Sequence, residues 1–171
     1  SHHLLYSSSF ITTSMCRQPG SKLRLPVGNE IINNVSGGVY CSSRASGYNT
    51  AYCSPIIVDN LISANGGDGV TCHTSYAGSC NPELIGNTMS KNQGWGVRRS
   101  QGPNYNAPSN PKLINNLIYD NISGGAYFVF YFADERIDKP LLLNNTIAYN
   151  NTYGVRSGLP TIVNSIIWGH T

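Results

Sequence analysis

The residues best suited to chemistry are carboxylates and basic side chains in two nearby segments of the chain. Asp134, Glu135 and Asp138 lie close together, and Arg98-Arg99 is the only basic pair. Carboxylates beside basic groups could bind Ca²⁺, which prefers oxygen ligands, or an acidic sugar. The same residues could instead form a solvated, salt-bridged loop. These five residues are the candidate catalytic group, and the sequence assigns no reaction to them.

Three aromatic residues lie on or near the same side of the predicted fold. Trp95, Tyr105 and Tyr131 could stack against sugar rings, and we take them as the candidate carbohydrate-binding residues. They could also contact another subunit or simply cover the loops. No Cys-x-x-Cys pair is present, and His73 is the only histidine close to a cysteine. We therefore expect no metal site and no cofactor, apart from Ca²⁺ at the acidic cluster.

Five segments that share one pattern position these residues. Each segment begins with proline, carries Asn or Ser five residues later, an apolar residue two positions further on, and Asn or His ten positions after the proline. Consecutive segments start 27, 29, 29 and 20 residues apart, at Pro55, Pro82, Pro111, Pro140 and Pro160. Four of them then reach a small Gly-Val or Gly-Ala pair. A repeat of this length cannot bury its apolar face alone, so it predicts stacked coils of short strands.

The recurring asparagines have a structural role in this prediction. Asn tolerates left-handed turns, and stacked side-chain amides can bond to one another and to the backbone at each coil. The pattern xIxNNxIxxNxxxGV resembles the right-handed parallel β-helix repeat of pectate-lyase-like and NosD-like secreted proteins, over roughly residues 29–171. The resemblance implies an all-β, single-stranded solenoid of about six coils with loops inserted on one face. It implies no particular activity, because this sequence lacks the acidic pair and other signatures of the enzymes with this fold.

The cysteines follow the register of the repeat. Cys41 and Cys72 occupy equivalent positions, and so do Cys53 and Cys80. Two disulfides within loops, Cys41–Cys53 and Cys72–Cys80, are the simplest pairing, and a Cys41–Cys72 bridge between coils is the alternative. Either pairing indicates an oxidising compartment and leaves Cys16 as a free thiol or an intermolecular link.

Four Asn-x-Ser/Thr motifs are present, at Asn34, Asn121, Asn144 and Asn150. Asn121 and Asn150 fall at predicted turns, so they are the better candidates for glycosylation.

Composition narrows the location and the partners. Charged residues make up 11% of the 171 residues and the net charge is +3, which is far from the basic stripe of a nucleic-acid-binding protein. No apolar run is long enough to span a membrane. A surface of hydroxyls, amides and aromatic rings favours a secreted or cell-surface protein, and polysaccharide is a candidate partner.

The ends of the repeat suggest a function. We interpret residues 1–28 as an N-terminal segment that caps the solenoid or serves as an assembly strand, and residues 29–171 as the β-helix. The last coil is followed by no capping helix, so we expect self-association through uncapped ends. The first hypothesis is an extracellular structural or adhesive subunit that stacks head to tail into filaments. The alternatives are a polysaccharide lyase, hydrolase or epimerase, or a glycan-binding module.

Overall fold

The computed structural model describes residues 24, 27–44, 51–75, 78–101, 109–128, 139–156 and 158–171, and these form a β-solenoid. All pairs between its strands are parallel, and the described residues include no helix. The predicted all-β parallel solenoid is therefore confirmed, whereas its handedness and number of coils stay predictions. Most of the predicted segment 1–28 lies outside the described residues, but Arg24 bridges in parallel to Ile56.

Three long sheets and one short sheet run along the solenoid. Sheet I contains β1 (Glu30–Ile32), β5 (Leu61–Ser63), β9 (Thr88–Ser90), β12 (Leu117–Tyr119), β15 (Thr146–Ala148) and β18 (Ile166–Trp168). Sheet II contains β2 (Val39–Arg44), β6 (Val70–Ser75), β10 (Trp95–Gln101), β13 (Gly124–Phe128) and β16 (Val155–Arg156). Sheet III contains β4 (Ile56–Val58), β8 (Glu83–Ile85), β11 (Lys112–Ile114), β14 (Leu141–Leu143) and β17 (Thr161–Val163). Sheet IV contains β3 (Ala51–Cys53) and β7 (Gly78–Cys80).

The core consists of apolar columns, because equivalent residues of successive coils are paired in register. In sheet I, Ile62 pairs with Met89 and Ile118 pairs with Ile147. Strand residues alternate between the two faces of a sheet, so the central residue of each three-residue strand points inward. The inward column of sheet III shows the result, since its members from β4 to β14 are fully buried: Ile57, Leu84, Leu113 and Leu142.

Every coil turns two corners through a residue in the left-handed backbone region. The corner between sheets III and I uses Gly28, Asp59, Gly86, Asn115, Asn144 and Asn164, with φ between 47° and 73°. The corner between sheets I and II uses Asn33, Ala64, Lys91, Asp120, Tyr149 and Gly169, with φ between 53° and 71°. Gly and Asn adopt this conformation readily. The residue that follows each corner belongs to a ladder of stacked polar side chains.

The ladders are continuous chains of buried hydrogen bonds. Asn92 donates its backbone N–H and its Nδ2 to Asn121 Oδ1, at 3.1 and 2.9 Å, and Nδ2 also donates to the Ile62 carbonyl at 3.2 Å. Asn92 Oδ1 in turn accepts the N–H and Nδ2 of Asn65, at 3.1 and 2.9 Å. Asn92 is fully buried, and its amide is saturated with partners. The predicted structural role of the asparagines is confirmed.

The stacking of the strands also positions the predicted loop insertions. The predicted insertions follow the ends of β2, β6, β10 and β13, which are neighbours in sheet II. They therefore begin on one side of the solenoid, as predicted. Most of their residues, 45–50, 76–77, 102–108 and 129–138, lie outside the described part of the chain.

We predict that Asn92→Ala lowers the free energy of unfolding by about 3 kcal/mol, because it leaves the buried backbone N–H of Asn65 without an acceptor and removes one of the two acceptors of Asn65 Nδ2. Chemical denaturation followed by circular dichroism measures this loss. The matched control is Gln93→Ala, which removes an exposed amide at the neighbouring position and should change stability by less than about 0.5 kcal/mol. Equal effects of the two substitutions would show that the ladder contributes nothing specific.

Candidate functional site

The outer face of sheet II carries one continuous row of polar and aromatic side chains. The residue after each inward valine or alanine points outward, and the parallel register places these residues in a single column. The column consists of Tyr40, Thr71, Arg98, Tyr127 and Arg156. Neighbouring members are separated by one strand spacing, about 4.8 Å.

A groove of about 430 Å³ opens on this face, beside the turn that leads into sheet II. We call it the lateral groove. Its floor includes the bare backbone of Gly37, Gly38 and Gly67. Its polar and aromatic lining consists of Tyr40, Asp68, Thr71, His73, Arg98 and Ser100. The groove thus combines hydrogen-bonding groups with an aromatic wall on a regular sheet, which is the arrangement of many small-ligand sites.

Asp68 is held in a fixed position at the edge of the groove. Its carboxylate accepts the Trp95 backbone N–H at 2.8 Å and the Thr71 hydroxyl at 3.1 Å, and the Arg98 guanidinium lies 3.7 Å away. The Asp68 side chain is only 11% exposed, whereas that of Arg98 is 44% exposed. Asp68 therefore stabilises the turn that leads into sheet II. Arg98 is the charged group that a ligand can reach.

His73 faces the same groove from β6. Its Nδ1 lies 3.0 Å from Ser100 Oγ, and its ring stacks on Tyr40 with centroids 6.3 Å apart and an interplanar angle of 21°. Burial, and secondarily the nearby Arg98 charge, lower the pKa of His73 below its usual value of 6.5. The imidazole is therefore neutral at pH 7, and it can donate or accept a hydrogen bond.

These groups suit binding better than glycoside hydrolysis. Hydrolysis of a glycosidic bond typically uses two carboxyl groups that flank the bond, about 5 to 9.5 Å apart. Asp68 is the only carboxylate among the described residues that line the groove, and its oxygens already accept internal hydrogen bonds. The lining can fix a polyhydroxylated ligand by hydrogen bonds, ring contacts and the Arg98 charge.

Further along the same face, aromatic rings and an arginine form a cluster. The Trp95 ring lies 4.8 Å from Tyr127 and 6.3 Å from Tyr153, and Arg156 sits over the Tyr127 and Tyr153 rings at 5.2 and 4.9 Å. Trp95 itself is buried, at 7% exposure, and a side chain at Gly124 would collide with its ring. The neighbouring coil covers the Trp95 ring, and its predicted role in carbohydrate binding stays a prediction. Tyr153, at 46% exposure, is the accessible ring of this cluster.

Of the candidate catalytic group, the structure describes only the basic pair, Arg98 and Arg99, and these two side chains do not lie on the same face. Arg99 is 1% exposed, because β10 turns it inward between its register partners Cys72 and Phe128. Only Arg98 of the basic pair is on the surface, and it pairs with Asp68. Five other candidates lie outside the described residues: Asp134, Glu135, Asp138, Tyr105 and Tyr131. Among the residues that are described, no cluster of three or more His, Cys, Asp or Glu side chains could hold a metal ion.

The cysteine prediction is half right. Cys72 and Cys80 form a disulfide with a Cα–Cα distance of 6.2 Å, as predicted. Cys41 is a free, buried thiol, so the predicted Cys41–Cys53 bridge and the alternative Cys41–Cys72 bridge are both wrong. Cys53 is disulfide-bonded, but not to Cys41. Burial raises the pKa of the Cys41 thiol to about 12, which keeps it protonated and unreactive. Cys16 lies outside the described residues.

The two preferred glycosylation candidates, Asn121 and Asn150, are not exposed as their turn positions suggested. Asn121 and Asn150 are fully buried members of a ladder. Their Nδ2 atoms donate to the carbonyls of Met89 and Ile118, both at 3.0 Å. Their positions at predicted turns suggested that both side chains are exposed. In the structure, however, the asparagine that follows each corner points into the solenoid.

A second surface lies at the C-terminal coil, where the apolar columns end. Ile162 and Ile167 continue the inward columns of sheets III and I, yet they are 44% and 37% exposed. Ile166 and Trp168 flank them at 61% and 62% exposure. At the N-terminal coil the apolar column of sheet I is covered, as the 3% exposure of Ile31 shows. The described coils are therefore open at one end.

Comparisons of the chain with known protein families, curated proteins and solved structures gave no significant match. Within the described residues, no helix has the length and apolar character that a membrane crossing requires. The functional argument therefore depends on the geometry of the groove and of the open coil.

We predict that His73 makes the fold less stable at acid pH. Its pKa is lower in the folded chain than the usual 6.5, so the unfolded chain binds more protons and stability falls as the pH drops below about 6.5. The free energy of unfolding of the wild type and of His73→Asn, measured from pH 8 to pH 5, should differ in slope, with the flatter profile in the variant. Parallel profiles would contradict this assignment.

Proposed function

We propose that the chain is an adhesive extracellular β-solenoid that binds saccharide chains in the lateral groove. The observation that carries this proposal is the fixed set of polar groups around an accessible guanidinium, Arg98, on the regular face of sheet II. Sugars offer hydroxyl groups for hydrogen bonds and apolar ring faces for stacking. The groove provides Ser100 and His73 for the former and the Tyr40 ring for the latter.

The rigidity of the scaffold supports this proposal. Side chains on ladder-pinned strands lose little freedom when a ligand binds, and preorganisation of this kind improves affinity. The row from Tyr40 to Arg156 extends beyond the groove, so a chain of several sugar units can contact more than one coil. A polymer that contacts several weak subsites binds by avidity, as an adhesive protein requires.

Binding without turnover is the preferred form of this function. The groove lacks a second carboxylate among its described lining residues, and the fixed Asp68 already serves the turn and the Arg98 ion pair. A polysaccharide lyase, hydrolase or epimerase stays the alternative function. Release of reducing or unsaturated sugars from any bound polysaccharide would support it instead.

We predict that Arg98→Ala weakens polysaccharide binding at least about tenfold, since a charge-assisted hydrogen bond contributes roughly 1.5 to 3 kcal/mol. Affinity electrophoresis on gels that contain xylan, pullulan, polygalacturonate or hyaluronan measures the binding. The matched control is Lys112→Ala, which removes a cation of similar exposure, 49%, from the outer face of sheet III and should leave binding unchanged. No retardation by any polymer, or equal retardation of both variants, would contradict the proposal.

A second candidate function is assembly through the open C-terminal coil, and the polarity of the ladders favours it. Each ladder residue donates toward the C-terminal coil, where Asn145 N–H meets Ser165 Oγ at 3.1 Å and Asn150 N–H meets His170 Nδ1 at 3.3 Å. A coil added there must therefore present acceptors, so addition in the same direction is favoured over a symmetric end-to-end contact. The exposed Ile162, Ile166 and Ile167 provide the apolar part of this contact.

The N-terminal coil carries a matching acceptor. Asn34 Oδ1 is buried and has no hydrogen-bond partner among the described residues. A second copy stacked head to tail would bring this acceptor onto the donor end of the same ladder. Because Ile31 is covered, such stacking requires the N-terminal coil to be uncovered first.

We predict that the weight-average mass of the chain rises with concentration and that Ile166→Lys reduces this rise, since the substitution places a charge in the apolar contact. Sedimentation velocity over a hundredfold range of concentration measures the effect. Ile122→Lys is the control, because Ile122 is an exposed apolar residue, at 49%, in a middle coil away from both ends. A monomer at every concentration would exclude self-assembly through this end.

A further inference from the structure

The four Asn-x-Ser/Thr motifs of the chain are not equivalent in the fold. Such a motif is the acceptor of N-linked glycans, and the sugar is attached to the side-chain Nδ2 atom. A folded glycoprotein therefore needs an asparagine whose amide nitrogen is exposed and not committed to an internal hydrogen bond. All four motifs lie within the described residues, at Asn34, Asn121, Asn144 and Asn150.

Three of these amide nitrogens are committed to the buried ladder. Asn34 Nδ2 donates to Asn65 Oδ1 at 2.8 Å, and the residue is 3% exposed. Asn121 Nδ2 donates to Asn150 Oδ1 at 2.9 Å. Asn150 Nδ2 donates to the carbonyls of Ile118 and Ala148, at 3.0 and 3.1 Å. A glycan on any of these atoms would have to pass through the core of the solenoid, so it is incompatible with this fold.

Asn144 differs from the other three. It occupies the left-handed corner itself, with φ of 54°, and not the ladder position that follows the corner. Its side chain is exposed and makes no hydrogen bond with the described residues, while its backbone N–H donates to the Val163 carbonyl at 3.0 Å. The ladder function of this corner is carried by the next residue, Asn145, whose Nδ2 donates to the Leu113 carbonyl at 2.8 Å. A glycan on Asn144 would therefore project into solvent and leave every ladder bond in place.

We propose that Asn144 is the N-glycan acceptor of this chain and that the folded protein leaves Asn34, Asn121 and Asn150 unmodified. In the reaction, Nδ2 of Asn144 forms a bond to the anomeric carbon of a lipid-pyrophosphate-linked oligosaccharide. The bond from that carbon to the pyrophosphate oxygen breaks, the amide loses one proton, and the lipid pyrophosphate leaves. The occurrence of this reaction in the native cell rests on the proposed extracellular location, but the test below does not, since it provides the secretory pathway itself.

The experiment expresses the full chain behind a heterologous signal peptide in cultured mammalian cells. A triple variant, Ser36→Ala, Ser123→Ala and Thr152→Ala, removes the three ladder motifs but keeps every ladder asparagine. Both chains are recovered from medium and cells, treated with peptide N-glycosidase, and mapped by mass spectrometry for conversion of Asn to Asp. The control is Thr146→Ala, which removes only the Asn144 motif.

The secreted wild type and triple variant should each carry one glycan, at Asn144, and Thr146→Ala should be secreted without any. The circular dichroism spectrum and melting of the secreted protein should be unchanged by removal of the glycan. An unmodified Asn144 in both the medium and the cell fraction of the triple variant would overturn the proposal. A glycan mapped to Asn34, Asn121 or Asn150 in secreted, cooperatively melting protein would overturn its second half. Failure of polysaccharide binding leaves this result unaffected, so the two proposals are tested separately.

Discussion

The stacked asparagine amide is the interaction on which the rest of this solenoid depends. A corner between two sheets exposes backbone groups that no strand pairs, and in a buried corner such groups must find partners. The ladder provides them, because Asn92 alone donates to the amide oxygen of Asn121 in the next coil, donates to the Ile62 carbonyl of the preceding coil and accepts the backbone N–H of Asn65. With the corners fixed, three residues per strand are sufficient to hold sheets I and III.

The same register that builds the core also organises the surface. One residue of each strand enters an apolar column, and its neighbours form an outward column on the same sheet. In sheet II the longer strands extend this alternation, so Tyr40, Thr71 and Arg98 are aligned outside while Arg99 is turned inside. The lateral groove therefore results from the stacking of the coils. The side chains that line it lie on strands and turns that the hydrogen bonds of the fold hold in place.

The direction of the ladders gives the two ends of the solenoid different chemistry. At the C-terminal coil the ladders end in hydrogen-bond donors, and at the N-terminal coil they end in acceptors. Asn34 Oδ1 is such an acceptor, with no partner among the described residues. Only coils added in the same direction continue this pattern, whatever their source. The side of the solenoid and its open end thus offer two distinct surfaces, one suited to a polar ligand and the other to more β-structure.

The sequence by itself determined the parallel solenoid and the Asn ladders, because a repeat forces equivalent residues into equivalent environments. Aligning Val39, Val70 and Val97 would also have placed Tyr40 above Thr71 and Arg98, so that row was within reach of the sequence. Only the tertiary structure decided which residues are covered. Trp95 is buried because the next coil carries Gly124, Asn121 is buried because the corner residue before it takes the outer position, and Cys41 stays a free thiol although its register matches that of Cys72. The exposure and the bonding of a residue depend on which side chains the neighbouring coils place beside it. The spacing of residues within one coil does not contain that information.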